Sequence, residues 1–387
     1  MNQVTGLLDA GHEVELVSCS PERPTVTHPV VGEYGLLART MFNVAAVRPK
    51  WWSYVKALAS TLGGLFRYGG AVWRFWGYSV AHGYVSYPHW NLLRHFLQRR
   101  FDVIYCHYGP MGQLALQLRG LGVGGKICTV FHGVDISRHV RDEGRDCYRD
   151  LFANTELCLP ISEYWEDRLL ELGCEAAKVR VHHMGIDPEA FAYCGGSGGE
   201  SGAVRVLTIG RLVEKKGYEY ALRAIAQMPA GRVEYVIVGD GPLREELESL
   251  TRHLGAEDRV TFRGALRQDQ VRQLYGQSDL FLLASVTAAD GDKEGIPVVL
   301  MEAQASGLPV VATMHSGIGE VVKDGETGFL VAERDVAALT ERLRYLVEHR
   351  ECWAAMGRRG REVVCEQFNI GTLNRRLGEL LGDLVER

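Results

Sequence analysis

The sequence predicts an α/β protein built from two doubly wound units facing across a cleft. Three observations predict it. The chain has 387 residues, 46% of them hydrophobic, which is enough for two packed cores. Beyond Ala203, short β-branched or apolar runs alternate with amphipathic runs of helical length. Between the halves lies CGGSGGESGA, residues 194–203, whose glycines and serines resist ordering and bury nothing.

In the second half the predicted strands are VRVLTIG, EYVIVG, VTFRG, LFLLAS and PVVAT. The helices between them are YEYALRAIAQM, PLREELESLTRHL, QDQVRQLYGQ, PVVLMEAQAS and DVAALTERLRYLVEH. Such alternation gives a parallel sheet whose ligands bind at the carboxyl ends of the strands. The first half repeats the rhythm less regularly, with strands expected at HEVELVSC, DVIYCH, KICTVFH and ELCLPIS. The expected boundaries are a first domain over 1–193, the linker over 194–203, a second domain over 204–366, and a terminal segment over 367–387. In that last segment Ile370, Leu373, Leu377, Leu380, Leu381 and Leu384 form a helical stripe that must pack on something. The chain opens on NQVTGLLDAG, a helix, before its first strand. A doubly wound unit normally begins with a central strand, so a first strand is expected to be missing, whether through a start that lies upstream or through loss.

Composition excludes several classes. The net charge of −5 gives no basic field for holding nucleic acid. The nine cysteines are scattered without a C-x-x-C pair, which predicts reduced thiols and a cytoplasmic setting. No basic-then-apolar leader and no run of 18 apolar residues is present. A dinucleotide-dependent oxidoreductase needs G-x-G-x-x-G between strand and helix. GLGVGG at Gly120 lies in the reverse order, and after Gly239 and Gly241 the third glycine is replaced by Arg244.

The residues with chemical potential cluster in the second half. In DGDKEGIPVVLME, Asp290 to Glu302, an acidic loop follows a strand and leads into a helix starting near Pro297. The N–H groups of Gly295, Ile296 and Val298 then face any anion placed there, and a phosphate fits. Glu302, about five residues along, lies roughly one and a half turns away and can face the same ligand. The competing reading is a buried helix with a solvated acid near each end. A calcium loop fails, because its twelfth position is Met301 and a strand precedes it. A divalent metal on Asp290 and Asp292 is the third reading. GRLVEKKG, Gly210 to Gly217, follows the first strand after the linker and places Arg211 and Lys216 where they can neutralise a diphosphate.

Together GRLVEKKG, VGDGP, FRG, EGIPVVLMEAQASGLPVVAT and SGIGEVVKDGETGFLV resemble the retaining glycosyltransferases of the GT-B fold, family 4 (group 1). FHGVDIS at Phe131 to Ser137 and the DGDKEGIP loop are most similar to the bacterial exopolysaccharide branch, colanic-acid-type enzymes included. The resemblance implies that Glu294 contacts the donor sugar and that Glu302 accepts the ribose hydroxyls. Arg211 and Lys216 would clamp the diphosphate, Gly295, Ile296, Pro297, Val298 and Gly239 would line the donor site, and His132 would touch the transferred sugar. It implies transfer from a UDP- or GDP-sugar to a lipid-linked or other glycan acceptor, with retention and with no metal or other cofactor. Cations and helix amides already stabilise the leaving charge, so Asp290 and Asp292 become acids that shape the sugar pocket or solvated ones. His107 could line the acceptor side or be structural; His182 and His183 point apart and take no role. An inactive, transferase-derived binding or scaffold protein is the rival reading.

Residues 48–90 interleave Trp51, Trp52, Trp73 and Trp76 with Lys50, Lys56, Arg67 and Arg74. Two readings stand: contact with an anionic membrane at its inner face, or a helical hairpin with its aromatics in the core.

Overall fold

The computed structural model describes residues 2–22, 29–44, 50–81, 87–195 and 202–386. Most of the linker expected at 194–203, and residues 48, 49 and 82–86 of the Trp-rich segment, lie outside them. Contacts group the chain into two compact units, one of residues 1–130, 150–158 and 374–387, the other of residues 131–149 and 159–373. In this grouping Phe131–Arg149 and Leu159–Leu373 have most of their contacts within the second unit.

The first unit contains β1 (Leu16–Ser18) and β2 (Thr40–Phe42), paired in parallel. It also carries β3 (Val103–His107), β4 (Lys126–Phe131) up to Val130, and the first two residues of β5 (Leu157–Pro160), in the order β3-β4-β5. Among the described residues, β1 and β2 form one sheet and β3, β4 and β5 another. Of the strand expected over HEVELVSC, Leu16–Ser18 enters a ladder, in register with the three residues of β2. The opening helix is Asn2–Asp9, and the terminal stripe forms a helix over Ile370–Glu386. Asn374 Nδ2 donates to Asn2 O at 2.9 Å, so residues 374–387 pack within the first unit.

A kinked helix spans Lys50–Ala81, bent at Gly69, whose φ of 23° and ψ of −99° break the helical pattern. The aromatics of the Trp-rich segment divide between core and surface. Phe75 and Trp90 are buried in the unit's core with Val72, Leu93 and Phe96, whereas Trp51, Trp52, Phe66 and Trp73 are exposed.

The second unit is one parallel sheet of β6 (Val204–Ile209), β7 (Val233–Val238), β8 (Val260–Phe262), β9 (Leu280–Leu283), β10 (Val310–Thr313) and β11 (Gly328–Val331). Its order is β11-β10-β9-β6-β7-β8, so the chain runs outward from β6 through β8 and then restarts on the other side with β9. The switch point lies between β6 and β9, where loops leave in opposite directions and open a crevice at the strand ends. Val206, Leu207, Leu280, Leu282 and Val311 are all fully buried, as strands covered on both faces require. The fold as a whole is α/β.

Candidate active site

Three loops meet at the carboxyl ends of β6, β9 and β10. The loop after β6 carries Arg211 and ends in a short 3₁₀ turn, Glu214–Lys216. That turn is fastened to the segment after β9, because Val286 N–H donates to Lys215 O at 2.9 Å. Further along that segment, the helix Val298–Ala305 opens with Pro297 as its N-cap. Proline lacks the N–H that would be unsatisfied there, and helix geometry leaves the first amides unspent within the helix.

Lys216 Nζ and Glu294 Oε1 lie 2.9 Å apart, with side chains only 13% and 8% exposed. The contact is an ion pair between groups largely withdrawn from water, in which each charge offsets the other's desolvation. Glu294 is fixed through its backbone as well. Its N–H donates to His315 Nε2 at 3.1 Å and its carbonyl accepts from Ser316 Oγ at 2.9 Å. The next residue, Gly295, lies so close to His132 O that a Cβ would meet it at 2.4 Å. Only glycine permits that approach, and it sets His132 beside the Glu294 loop. The His132 loop is itself ordered by Asp135, whose Oδ1 accepts from the N–H groups of His132 and Gly133 at 2.9 and 3.0 Å.

The acidic loop is held by cations. Asp290 pairs with Arg138 at 2.9 Å and Asp292 with Lys215 at 3.1 Å, while Arg141 donates to Ala289 O at 3.0 Å. Asp290 and Asp292 are thus each paired with a different cation, with side chains 42% and 21% exposed. Among the described residues no group of three His, Cys, Asp or Glu side chains is placed as metal ligands would be.

Glu302 sits farther along the helix. Its carboxylate accepts from the buried Tyr275 hydroxyl at 2.8 Å. Burial pushes this carboxyl above its usual range, against the lowering effect of the Tyr275 hydrogen bond and of Arg272. Arg211 is exposed and forms no ion pair among the described residues. Gly239, in the loop after β7, has φ 136°, and a Cβ there would lie 1.9 Å from Gly210 O. It packs the β7 loop against the β6 loop.

The structure thus brings Lys216, Glu294, Gly295, Ile296, Pro297, Val298 and His132 together, with Glu302 on the same helix. Sequence reasoning missed His315, Ser316, Glu320 and Glu333. It also gave His183 no role, whereas His183 Nε2 lies 2.9 Å from Glu320 Oε2. Glu320 in turn accepts from the N–H groups of Glu163 and Tyr164, at the start of the helix Glu163–Glu171. Burial raises the Glu320 carboxyl, but His183 and those two amides outweigh it and hold the group below the usual range. Only the acidic residue of SGIGE was a signal for this, and its partners lie more than a hundred residues away.

Two family models cover the chain: Glycosyltransferase Family 4 matches residues 1–190, and Glycosyl transferases group 1 matches residues 198–363. A glycosyltransferase assigned to colanic acid biosynthesis in Salmonella typhimurium is 37% identical over 98% of this chain and 95% of the relative. This chain is a family 4 (group 1) glycosyltransferase. AmsK, the amylovoran biosynthesis glycosyltransferase of Erwinia amylovora, is 36% identical over all of this chain and 96% of its own length. Among solved structures, Anabaena HepE in complex with UDP-glucose superposes with a TM-score of 0.68 at 22% identity, covering 77% of this chain and 82% of that one. At that identity the likeness speaks for the fold, and the fold of this family 4 glycosyltransferase is GT-B.

Proposed function

We propose that this glycosyltransferase moves a sugar, with retention at the anomeric carbon and without a metal, from a UDP- or GDP-sugar to a lipid-linked glycan during exopolysaccharide or cell-surface polysaccharide assembly. The observation that carries the proposal is the Lys216–Glu294 pair, 2.9 Å apart at the switch point beside the N-terminus of the Val298–Ala305 helix. The relatives assigned to colanic acid and amylovoran biosynthesis support the polysaccharide, and the UDP-glucose complex of HepE supports the donor class.

In this reading the donor diphosphate takes Lys216, Arg211 and the first-turn amides. Glu302 accepts the ribose hydroxyls and Glu294 meets the sugar. When the bond from the anomeric carbon to the phosphate oxygen breaks, its electron pair stays on that oxygen. A fixed ammonium and guanidinium then stabilise the growing charge more than they stabilise the intact donor. The acceptor hydroxyl forms the new bond from the face the phosphate leaves, and its proton passes to the departing phosphate. His132, held beside Gly295, limits the space open to the sugar.

The setting we propose is the cytoplasm, at the inner face of the plasma membrane. The Lys50–Ala81 helix supports it, since it exposes Trp51, Trp52, Val55, Leu58, Leu62, Phe66, Trp73 and Val80. Residues 50–81 contain no acidic side chain, and Lys56, Arg67 and Arg74 are exposed among these apolar groups. Aromatics with cations on one helix suit the headgroup boundary of an anionic bilayer. Among the described residues no helix is long and apolar enough to cross a membrane, so the helix would lie on the surface.

The test is a thermal-shift screen of the purified chain against UDP- and GDP-sugars, followed by turnover in excess chelator. A stabilising donor that turns over with chelator present supports the proposal. A rate that needs added metal, or a panel without any stabilising nucleotide-sugar, contradicts it.

A further inference from the structure

Behind Glu294 runs a chain of hydrogen bonds that crosses three neighbouring strands of the sheet. Glu333 follows β11, His315 follows β10 and Glu294 lies in the loop after β9. Glu333 Oε1 lies 2.6 Å from His315 Nδ1, and His315 Nε2 lies 3.1 Å from Glu294 N. A backbone N–H only donates, so His315 Nε2 must be the unprotonated acceptor and the ring proton must sit on Nδ1, facing Glu333. Glu333 is itself aimed by the β9 loop, accepting from Thr287 N–H at 2.8 Å and lying 3.3 Å from Arg334 Nη1.

The chain has a backbone signature. Among the described residues only Tyr108, Ser316 and Arg334 are non-glycine residues at positive φ, and two of these stand immediately after His315 and Glu333. Ser316, at φ 41°, uses that conformation to donate its hydroxyl to Glu294 O at 2.9 Å. Left-handed conformations cost free energy at such residues, and they persist where the surroundings impose them. Ser316 contacts Glu294 directly, and Arg334 donates to Glu333 and to Thr287 O, the two ends of the bond that aims Glu333. His315 is fully buried, so no water replaces its hydrogen bond.

We propose that His315 and Glu333 are positioning residues for the transfer reaction: as a neutral, Nδ1-protonated imidazole backed by a carboxylate, His315 locks the main chain of Glu294 and so aims its carboxylate at the donor sugar. The inference rests on the reading of Glu294 as a sugar contact. Protonating Nε2 would turn the acceptor into a donor facing the Glu294 N–H, and the lock would open. The charged groups facing the ring are Glu333, with Arg334 behind it, and Glu294 and Lys293 from the β9 loop. Burial holds the ring's pKa below its ordinary value, against the opposing pull of Glu333, so the lock opens only on the acid side of that value.

The test compares His315→Phe, His315→Gln and Glu333→Gln in the full chain, with turnover measured on the UDP- or GDP-sugar that the screen selects. Gln can return an acceptor to the Nε2 position, whereas Phe keeps the ring shape without nitrogen. His315→Phe is expected to lower kcat about tenfold or more with KM for the donor within about threefold of wild type. His315→Gln should recover most of the rate and lack the acid limb of the wild-type pH profile, because it has no titrating ring. Equal kcat in His315→Phe and wild type, or an unchanged acid limb in His315→Gln, overturns the proposal. Should the Phe variant not fold, ¹⁵N spectra of histidine-labelled wild-type protein decide: a His315 resonance with Nε2 unprotonated at neutral pH is expected, and a proton on Nε2 overturns it. Glu294→Gln separates the two readings, since a wild-type rate in that variant removes the sugar contact itself and leaves the tautomer result standing.

Discussion

Lys216 Nζ stands 2.9 Å from Glu294 Oε1, so cation and anion hold each other in a nearly dry position. Removing one partner strands the other charge. Glu294→Gln and Lys216→Ala are each expected to lower turnover by about a hundredfold or more. Each should also cost on the order of 1–3 kcal/mol of stability. The double variant Lys216→Met with Glu294→Met should be more stable than either single replacement and just as inactive. Chemical denaturation and initial rates check this; a fully stable, fully active single variant contradicts it.

Acid should destabilise the second unit through three groups. His315, Glu320 and Glu333 all have folded pKa values below their ordinary ones of 6.5, 4.5 and 4.5. For Glu333, burial raises the carboxyl, but His315 and the Thr287 amide outweigh it. A depressed pKa means the unfolded chain binds the proton more readily, so each contribution is present above the ordinary value and lost as pH falls through the folded one. Melting temperature should therefore fall from neutral pH towards pH 4, and less steeply in Glu320→Gln. Glu302 has the opposite sign. Its pKa is raised, so its contribution is present at acid pH and lost as pH rises through the folded value. Glu302→Gln should thus melt higher than wild type at pH 7 while binding nucleotide more weakly.

Two glycines should respond in opposite ways to alanine. At Gly239, φ is 136° and a Cβ would sit 1.9 Å from Gly210 O. Gly239→Ala should cost about 2 kcal/mol or more and disturb the β6 loop. Gly63 lies within the Lys50–Ala81 helix, and a Cβ there meets nothing within 4 Å. Gly63→Ala should stabilise by about 0.5–1 kcal/mol. Urea midpoints distinguish these outcomes.

Serine at Phe66 and Trp73 together should release the protein from phosphatidylglycerol vesicles. Burying one large apolar side chain is worth about 1.5–3 kcal/mol, and each nearby cation about 1 kcal/mol. Co-sedimentation should fall at least about tenfold for the variant, and wild-type binding should weaken with salt. Equal sedimentation of both proteins excludes the helix as the contact.

Much of the second unit was legible in its sequence, because β6 to β10 are short apolar runs bounded by glycine, proline and amphipathic helices. The loops with Arg211, Lys216 and Glu294 could be placed for the same reason. The strand β11 was not foreseen, since Gly328–Val331 is short and only its ends are buried. Nor was β2, a three-residue strand with no periodic signal. The pairing of Glu294 with His315 and Glu333 was illegible for a different cause. These residues lie about twenty positions apart on successive strand ends, and parallel crossovers bring together groups that no local spacing marks. The exposed half of the Lys50–Ala81 helix was ambiguous because Trp and Phe serve a core and a membrane equally well; only burial separates Phe75 from Phe66.

Calorimetric titration with UDP and GDP tests the diphosphate clamp most directly. The account predicts that one of the two binds wild type, that Arg211→Ala and Lys216→Ala each weaken it by about tenfold or more, and that Glu294→Gln, which frees Lys216 from its counter-charge, binds at least as tightly as wild type. Equal affinities in wild type, Arg211→Ala and Lys216→Ala, or no heat from either nucleotide at millimolar concentration, would contradict it.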